Sequence, residues 1–247
     1  MKLSIGYKTD AGPREGRNQD ALLAVHPGSD QTRAVLIVSD GMGGANAGDM
    51  ASREALRVLK RHLVTKFPPT DEIPDRLRKA LYAANRAIYE KASNSPALDG
   101  MGCTAVIAVV DGDSFWIANV GDSRAYLLRS GTLHQITDDH TWLNARVREG
   151  LLTAEQAAGE FRYLNHVLDR ALGTAPGIEV DVWPASALQP GDVLILCTDG
   201  LYGVLSPRHL MELAAIRPAQ RAAEALITAG LAAPAHDNLS VVILQVE

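Results

Sequence analysis

One segment organises the sequence: Val35-Leu36-Ile37-Val38-Ser39-Asp40-Gly41-Met42-Gly43-Gly44. Its apolar half shows no alternation and is bounded by turn residues, which predicts a short strand buried on both faces. Asp40 follows at the point where the strand ends and the glycines free the backbone to turn. A carboxylate in that place can bind a hard cation together with the next peptide carbonyl. An isolated Asp-Gly pair is more often an ordinary turn, so this segment alone does not establish a site.

A second copy of the pattern lies far along the chain, in Val193-Leu194-Ile195-Leu196-Cys197-Thr198-Asp199-Gly200. Its flanks differ from those of the first copy, so the chain does not contain a sequence repeat. Two apolar strands that each end in Asp-Gly nevertheless weaken the turn interpretation. If the two strands are neighbours, their terminal carboxylates meet at one rim of the sheet core.

The bulk composition is that of an ordinary globular protein, with 247 residues, 47% of them hydrophobic, and a net charge of −5. The acidic balance and the lack of a dense Lys/Arg stripe argue against nucleic-acid binding. No window is apolar enough to span a membrane, and residues 1–10 lack the core of a signal peptide. Cys103 and Cys197 lie in apolar runs, which indicates buried thiols in a reducing cytoplasm. We expect one monomeric domain over 1–247.

Residue periodicity predicts blocks of strands and helices rather than βαβ alternation. Helices are predicted over 47–66, 71–93, 207–216 and 218–232, and strands over 3–9, 21–26, 33–39, 103–110, 114–119, 124–129, 178–183, 192–198 and 239–246. The stretch 113–129 is predicted as an antiparallel meander. Residues 137–173, here called the flap segment, are polar and helical only in patches, which predicts an excursion over one face. These blocks favour an α/β (α+β type) layered sandwich with helices outside and sheets between.

Five aspartates lie next to predicted strands, namely Asp20, Asp40, Asp122, Asp199 and Asp237. Carboxylates gathered at one rim would repel one another unless cations bind there. The sequence has no His/Cys set with zinc spacing, and carboxylate, carbonyl and water ligands suit Mg²⁺ or Mn²⁺. Two such ions could activate a water and clamp a phosphoryl group. The alternative is a scatter of surface aspartates that cap turns.

Six motifs, in order along the chain, resemble those of the metal-dependent protein phosphatase family, the type 2C Ser/Thr phosphatases, and most of all its compact bacterial members. They are Asn18-Gln19-Asp20, Val38-Ser39-Asp40-Gly41-Met42-Gly43-Gly44, Gly100-Met101-Gly102-Cys103-Thr104, Asn119-Val120-Gly121-Asp122-Ser123-Arg124, Leu196-Cys197-Thr198-Asp199-Gly200-Leu201 and Asp237-Asn238-Leu239-Ser240. Asp139-His140-Thr141-Trp142 and Arg170-Ala171-Leu172-Gly173 are similar to the edges of that family's flap. The resemblance covers nearly the whole chain.

The resemblance implies a four-layer α-β-β-α sandwich with two mainly antiparallel sheets and a dinuclear Mn²⁺/Mg²⁺ centre at their rim. It implies that Asp40 bridges both ions, that Asp199 and Asp237 complete the first, and that the Gly41 carbonyl supports the second.

The resemblance also implies roles for the remaining aspartates and a reaction. Asp20 would orient waters on the metals, and Asp122 together with Asp199 would hold a weaker third ion. The reaction would be direct attack of a metal-activated water on phosphoserine or phosphothreonine. The substrates would be phosphoproteins, including a bacterial Ser/Thr kinase or its targets.

The sequence departs from the family pattern at the positions expected to bind phosphate and the second metal. Glu15 stands where the family has its phosphate-binding Arg, so the candidates for that role are the flanking Arg14 and, secondarily, Arg17. The guanidinium group suits phosphate oxygens, although both arginines could be ordinary surface residues. Gln19 replaces a Glu that helps to hold the second metal. These replacements leave open a phosphoprotein-binding domain without catalysis as the second hypothesis, with a metallophosphodiesterase a distant third.

No general acid is evident in the sequence. Met42 follows Asp-Gly where animal members of the family have a His. His140 and His166 belong to the flap segment, and a structural or surface role is expected for each in preference to a catalytic one.

Overall fold

The computed structural model describes residues 1–13, 17–29 and 31–247. The strands, in chain order, are β1 Leu3–Asp10, β2 Ala21–Val25, β3 Arg33–Ser39, β4 Gly41–Met42, β5 Gly102–Cys103, β6 Ala105–Asp111, β7 Ser114–Val120, β8 Arg124–Arg129, β9 Thr132–Gln135, β10 Asp181–Val182, β11 Ser186–Ala187, β12 Val193–Cys197 and β13 Leu239–Val246. The α-helices are α1 Gly44–Lys60, α2 Ile73–Ser93, α3 Trp142–Arg148, α4 Ala154–Ala158, α5 Asp199–Tyr202, α6 Pro207–Ala214 and α7 Ala219–Ala232.

β3 is buried on both faces, as its unbroken apolar run predicted. Ile37 packs with the apolar faces of α1 and α2, whereas Leu36, next to it, packs in the layer between the two sheets. β12 repeats this arrangement, because Ile195 packs with α6 and α7 while Leu194 points into the inter-sheet layer. Both strands are therefore central, and the residue after each of them lies at a rim of the sheet core.

The described residues form two stacked sheets between two pairs of helices. One sheet has the strand order β1-β13-β12-β8-β9, and the other has the order β10-β7-β6-β3-β2 with β11 also on β7. All of these pairs are antiparallel. Helices α1 and α2 cover the second sheet, and α6 and α7 cover the first. The predicted four-layer α-β-β-α sandwich is confirmed.

The meander predicted over 113–129 is wrong in one respect. β6 and β7 form a hairpin in one sheet, whereas β8 and β9 form a hairpin in the other. The chain therefore crosses between the sheets at 121–123, where Gly121 has a φ of 102°, a conformation that few other residues tolerate. A hairpin and a crossover both leave a glycine-containing break between two strands, so the pattern could not distinguish them.

Two predicted boundaries also differ from the structure. The helix predicted over 47–66 begins at Gly44, and its α-helical part ends at Lys60, before a π-helical turn at Arg61–Thr65. The strand predicted over 178–183 is only Asp181–Val182. The flap segment contains α3 and α4, and its two ends meet in a bridge between Thr141 and Leu168. No helix in the described part of the chain has the length and apolarity needed to cross a membrane.

Candidate metal centre and active site

The structure brings the five aspartates together at one rim of the sandwich. Asp40 follows β3, Asp199 opens α5 directly after β12, and Asp122 lies in the crossover between the sheets. Asp20 precedes β2 and Asp237 precedes β13. Each of the other four carboxylates raises the pKa of Asp40, so all four lie close enough to Asp40 for their charges to act on it.

Burial is the main cause of the raised pKa values of these aspartates, and charge repulsion adds to it. Burial raises the pKa of Asp40 well above its usual value, with the neighbouring carboxylates as the further cause. Burial likewise raises the pKa of Asp20 to about 7 and that of Asp122 to about 8. Carboxylates that cannot easily ionise side by side are those that a divalent cation stabilises most.

Asp20 and Asp199 each retain an oxygen that has no hydrogen-bond partner. The Oδ2 atom of Asp20 accepts a hydrogen bond from the Thr198 hydroxyl at 3.0 Å, but its buried Oδ1 accepts none. The buried Oδ1 of Asp199 also has no donor. Buried polar atoms without partners are rare and need an explanation. A cation or its water ligands would supply one for both atoms.

Three glycines let the segments approach closely enough to form the cluster. A Cβ atom on Gly41 would overlap the carbonyl oxygen of Gly48 in α1, so no side chain fits there. A Cβ on Gly48 would in turn lie 2.6 Å from the carbonyl oxygen of Gly41 and would cover it. A Cβ on Gly200 would overlap the carbonyl of Asn238, next to Asp237. Because these positions carry no side chain, the segments pack closely, and the carboxylates and the Gly41 carbonyl lie near one another at the rim.

The donor set suits Mg²⁺ or Mn²⁺. It consists of carboxylates and a peptide carbonyl, which are the ligands that these hard cations prefer. Within the described residues, no group of three or more acidic, His or Cys side chains is arranged so that it could hold a metal ion. Binding therefore requires the carboxylates to rearrange around the ion, whose charge would offset their mutual repulsion and whose coordination would satisfy the unpartnered oxygens of Asp20 and Asp199.

Comparison with known proteins identifies the family. The model of protein phosphatase 2C matches residues 15–239. The serine/threonine phosphatase stp of Listeria welshimeri is 35% identical over 242 residues, which are 97% of this chain and 94% of that protein. The chain belongs to the protein phosphatase 2C family. This phosphatase 2C protein is accordingly a hydrolase of the phosphoprotein phosphatase class, and membership implies dependence on a metal.

Solved structures agree with this assignment. A serine/threonine phosphatase from S. agalactiae superposes on the phosphatase 2C fold described here with a TM-score of 0.89, at 31% identity, covering 99% of this chain and 100% of that one. The catalytic domain of the phosphatase PstP in complex with two manganese ions gives a TM-score of 0.84 at 32% identity, with 99% of each chain covered.

Of the two candidate phosphate ligands, Arg14 and Arg17, the structure describes only Arg17. Arg14, like Glu15, lies outside the described residues. Arg17 is largely exposed, and its Nη1 lies 3.8 Å from Oδ2 of Asp49, a carboxylate buried in α1. Arg53 forms an ion pair with the same carboxylate. The sequence did not single out Asp49 or Arg53, since nothing local marks a helical ion pair as part of a site.

The backbone of Gln19 is hydrogen-bonded to two other segments near the site. Its backbone N–H donates to Oδ1 of Asn238 at 2.8 Å, and its carbonyl accepts from the hydroxyl of Ser52 at 2.6 Å. Asn238 also donates through Nδ2 to the carbonyl of Ala11 at 2.8 Å. Asn238 thus fastens the segment carrying Asp20 to the start of β13. It belongs to a quoted motif, yet its role emerged only from contacts between residues remote in sequence.

Thr104 is a second residue that the sequence motifs contained without revealing its function. Its hydroxyl accepts from the backbone N–H of Asp40 at 2.9 Å and lies 2.7 Å from the hydroxyl of Ser123. Its own N–H donates to the carbonyl of Asp40 at 2.8 Å. Thr104 therefore holds the backbone of Asp40 to the crossover that carries Asp122.

The two histidines of the flap segment have different surroundings. His140 is fully buried and binds Gly121 and Asp181, in agreement with the structural role expected for it. Burial lowers the pKa of His140, with the charge of Arg170 as a further cause. His166 is largely exposed, with its Nδ1 atom 3.8 Å from Oδ2 of Asp199.

Proposed function

We propose that this chain is a metal-dependent protein serine/threonine phosphatase that hydrolyses phosphoserine and phosphothreonine by direct attack of water. The observation that carries the proposal is the convergence of five carboxylates from five separate segments, two of them (Asp20 and Asp122) buried, with no sulfur or imidazole ligand among them. A site of this kind suits hydrolysis at phosphorus, because divalent ions neutralise the charge of both the phosphoryl group and the carboxylates.

Asp40, the Gly41 carbonyl, Asp199 and Asp237 would hold two Mn²⁺ or Mg²⁺ ions, and Asp122 with Asp199 would hold a weaker third one. Support comes from the pKa of Asp40, which burial and the charges of the other four carboxylates raise, and from the unpartnered Oδ1 atom of Asp199. Bound ions would supply Lewis-acid polarisation of the phosphoryl group and activation of the attacking water.

The protein's own side chains would orient the reactants. Asp20 would orient the attacking water through Oδ1, which has no other hydrogen-bond partner, while Thr198 fixes Oδ2. Arg17 would bind phosphoryl oxygens, and Arg14 stays a second candidate. In the reaction, the water oxygen gives up a proton as it bonds to phosphorus, the ester P–O bond breaks, and the seryl or threonyl oxygen takes up a proton, so that water and the phosphoester become a free hydroxyl group and inorganic phosphate.

The proposal extends to the setting in which the enzyme works. We expect a cytoplasmic monomer, formed as one domain over 1–247, whose flap segment governs access to the site. Its two buried free thiols suit a reducing compartment. The physiological substrates would be phosphoproteins that include a Ser/Thr kinase of the same cell or the targets of that kinase.

The test is hydrolysis of a phosphothreonine peptide by the purified chain. We expect release of inorganic phosphate with Mn²⁺, no release in EDTA, and a loss of at least about 100-fold for Asp199→Asn. Release that persists in EDTA would contradict metal dependence. Peptide binding in calorimetry without phosphate release at millimolar Mn²⁺ would support the phosphoprotein-binding alternative instead.

A further inference from the structure

We propose that His140 is a positioning residue that fixes the crossover carrying Asp122, by presenting a neutral imidazole between Asp181 and the backbone of Gly121. The function of Asp122 as a metal ligand rests on the proposed function, whereas the hydrogen bonding of His140 does not.

His140 forms two hydrogen bonds with Gly121, one through its backbone and one through its ring. The backbone N–H of His140 donates to the carbonyl of Gly121 at 3.0 Å. The backbone N–H of Gly121 donates back to Nδ1 of the imidazole at 3.1 Å. Because Gly121 directly precedes Asp122, these two bonds set the direction in which the chain enters that residue. Both groups are fully enclosed, so a lost acceptor would leave a buried N–H without a partner.

Asp181 and Gly121 together determine which nitrogen of the ring carries the proton. Nε2 of His140 lies 3.0 Å from Oδ2 of Asp181, a carboxylate that accepts from Nε2–H. Nδ1 must then be unprotonated, which is what the Gly121 N–H requires. Arg170 holds the other oxygen of Asp181 at 3.1 Å. The carboxylate is thus fixed on both sides.

The position of the crossover matters at both ends of the site. On one side, the hydroxyl of Tyr202 donates to the carbonyl of Asp122 at 3.0 Å. On the other, Ser123 contacts Thr104, which holds the backbone of Asp40. A shift at Gly121 would therefore move Asp122 and loosen the support of Asp40.

The same histidine joins the crossover to the flap segment. The carbonyl of His140 accepts from the N–H of Asp169 at 2.8 Å, where the two ends of the flap segment meet. Asn119 adds a bond from Nδ2 to the carbonyl of Gly121 at 3.0 Å. The base of the flap segment and the crossover therefore form one hydrogen-bonded unit with His140 at its centre.

Two substitutions separate the bonds of the ring. His140→Asn places an amide oxygen near the position of Nδ1 and keeps an acceptor for Gly121, while it loses Asp181. His140→Gln places an amide near Nε2 and keeps the bond to Asp181, while it loses the acceptor for Gly121. We expect amide hydrogen exchange at Gly121 to be at least tenfold faster in the Gln variant and within about threefold of wild type in the Asn variant.

Mn²⁺ binding provides the functional readout. In calorimetry and electron paramagnetic resonance, the weakest Mn²⁺ equivalent should lose about 10–100-fold in affinity in His140→Gln, the range expected when a partner that orients a ligand is removed, and little in His140→Asn. The ¹⁵N shifts of the wild-type ring should show the proton on Nε2. The proton should stay there in Asp181→Ala, because the Gly121 N–H still needs an acceptor at Nδ1.

Three results would overturn the proposal. One is a wild-type ring with its proton on Nδ1, and another is equal behaviour of the Asn and Gln variants in exchange and Mn²⁺ binding. The third is a ring in Asp181→Ala with its proton on Nδ1, which would show that the Gly121 N–H does not bind the ring and which also decides the matter if His140→Gln does not fold. If the wild-type chain binds no Mn²⁺, the proposed function fails while exchange and tautomer still test His140.

Discussion

Burial changes the chemistry of individual acids in this protein without any change in the residue itself. Cys103 and Cys197 are fully buried, and burial raises the pKa of each thiol to about 12. Burial has the same direction of effect on Asp20, whose pKa rises to about 7. In both cases the charged form is disfavoured because the surroundings cannot solvate it. The thiols stay inert, whereas the carboxylate becomes a candidate for cation binding.

The thiols should resist alkylation in the native protein. Only the thiolate reacts readily, and a pKa near 12 keeps both groups protonated as the pH rises from 7 to 9. We expect mass spectrometry after iodoacetamide treatment to show no modification of native protein over that range and two modifications in denaturant. Labelling of the native protein at the rate of the unfolded chain would contradict this.

Arg17→Ala should raise the KM for a phosphopeptide by about tenfold and leave kcat within about threefold. The loss corresponds to one charge-assisted hydrogen bond, or about 1.4 kcal/mol. Arg208→Ala is the matched control, because Arg208 pairs with Glu212 in α6 and has no part in the proposed site. An unchanged KM for Arg17→Ala would leave Arg14 as the remaining candidate.

At the level of elements, β3, β4 and α1 pack closely against one another on one side of the site. β3 ends at Ser39, Asp40 follows, and Gly41 brings β4 against Gly48 of α1 without space for a side chain. The glycines here have a steric function as well as the flexibility that the sequence suggested. The same logic applies where Gly200 in α5 meets Asn238.

Gly41→Ala should destabilise the fold, since its Cβ would overlap backbone that cannot move aside. Overpacking of this kind costs about 1–3 kcal/mol or more, which is roughly 2–10 °C in Tm for a chain of this size. Gly177→Ala is the control, because a Cβ there meets nothing within 4 Å. Equal Tm values for the two variants would show that the backbone around Gly41 has room for a side chain.

Across the whole molecule, the two sheets share one apolar layer, to which β3 and β12 both contribute. Leu36→Ala and Leu194→Ala, one in each sheet, should each lower the stability by about 2–5 kcal/mol. Because the layer is shared, both should shift one cooperative unfolding transition, seen alike by calorimetry and circular dichroism. Two separate transitions, each moved by one variant, would contradict the single-domain proposal.

Mn²⁺ should stabilise the whole fold by relieving the repulsion among the carboxylates. At a free concentration 100 times the Kd, binding at one site adds about 2.7 kcal/mol. We expect a higher Tm with Mn²⁺ than in EDTA for wild type and a much smaller increase for Asp40→Asn. An equal increase in both would place the ion somewhere else.

The sequence by itself predicted the layered fold, which the structure confirms, and it singled out the aspartates proposed for the site. Unalternating runs such as 35–38 and 193–197 can be satisfied only by burial on both faces, so they required central strands with helices outside. The carboxylates at their ends were identifiable because a lone charge directly after a buried strand is unusual. Strand burial and residue type depend on short segments of the chain, so they can be predicted from the local sequence.

Only the tertiary structure decided how the segments meet. The crossover at 121–123, the ion pair of Arg17 with Asp49, and the bonds of His140 to Gly121 and Asp181 all join residues whose contacts depend on sheet order and on the path of the chain. No local pattern encodes a contact between two remote segments, because each partner alone resembles an ordinary surface or loop residue. The packing of the whole chain decides which remote residues come into contact.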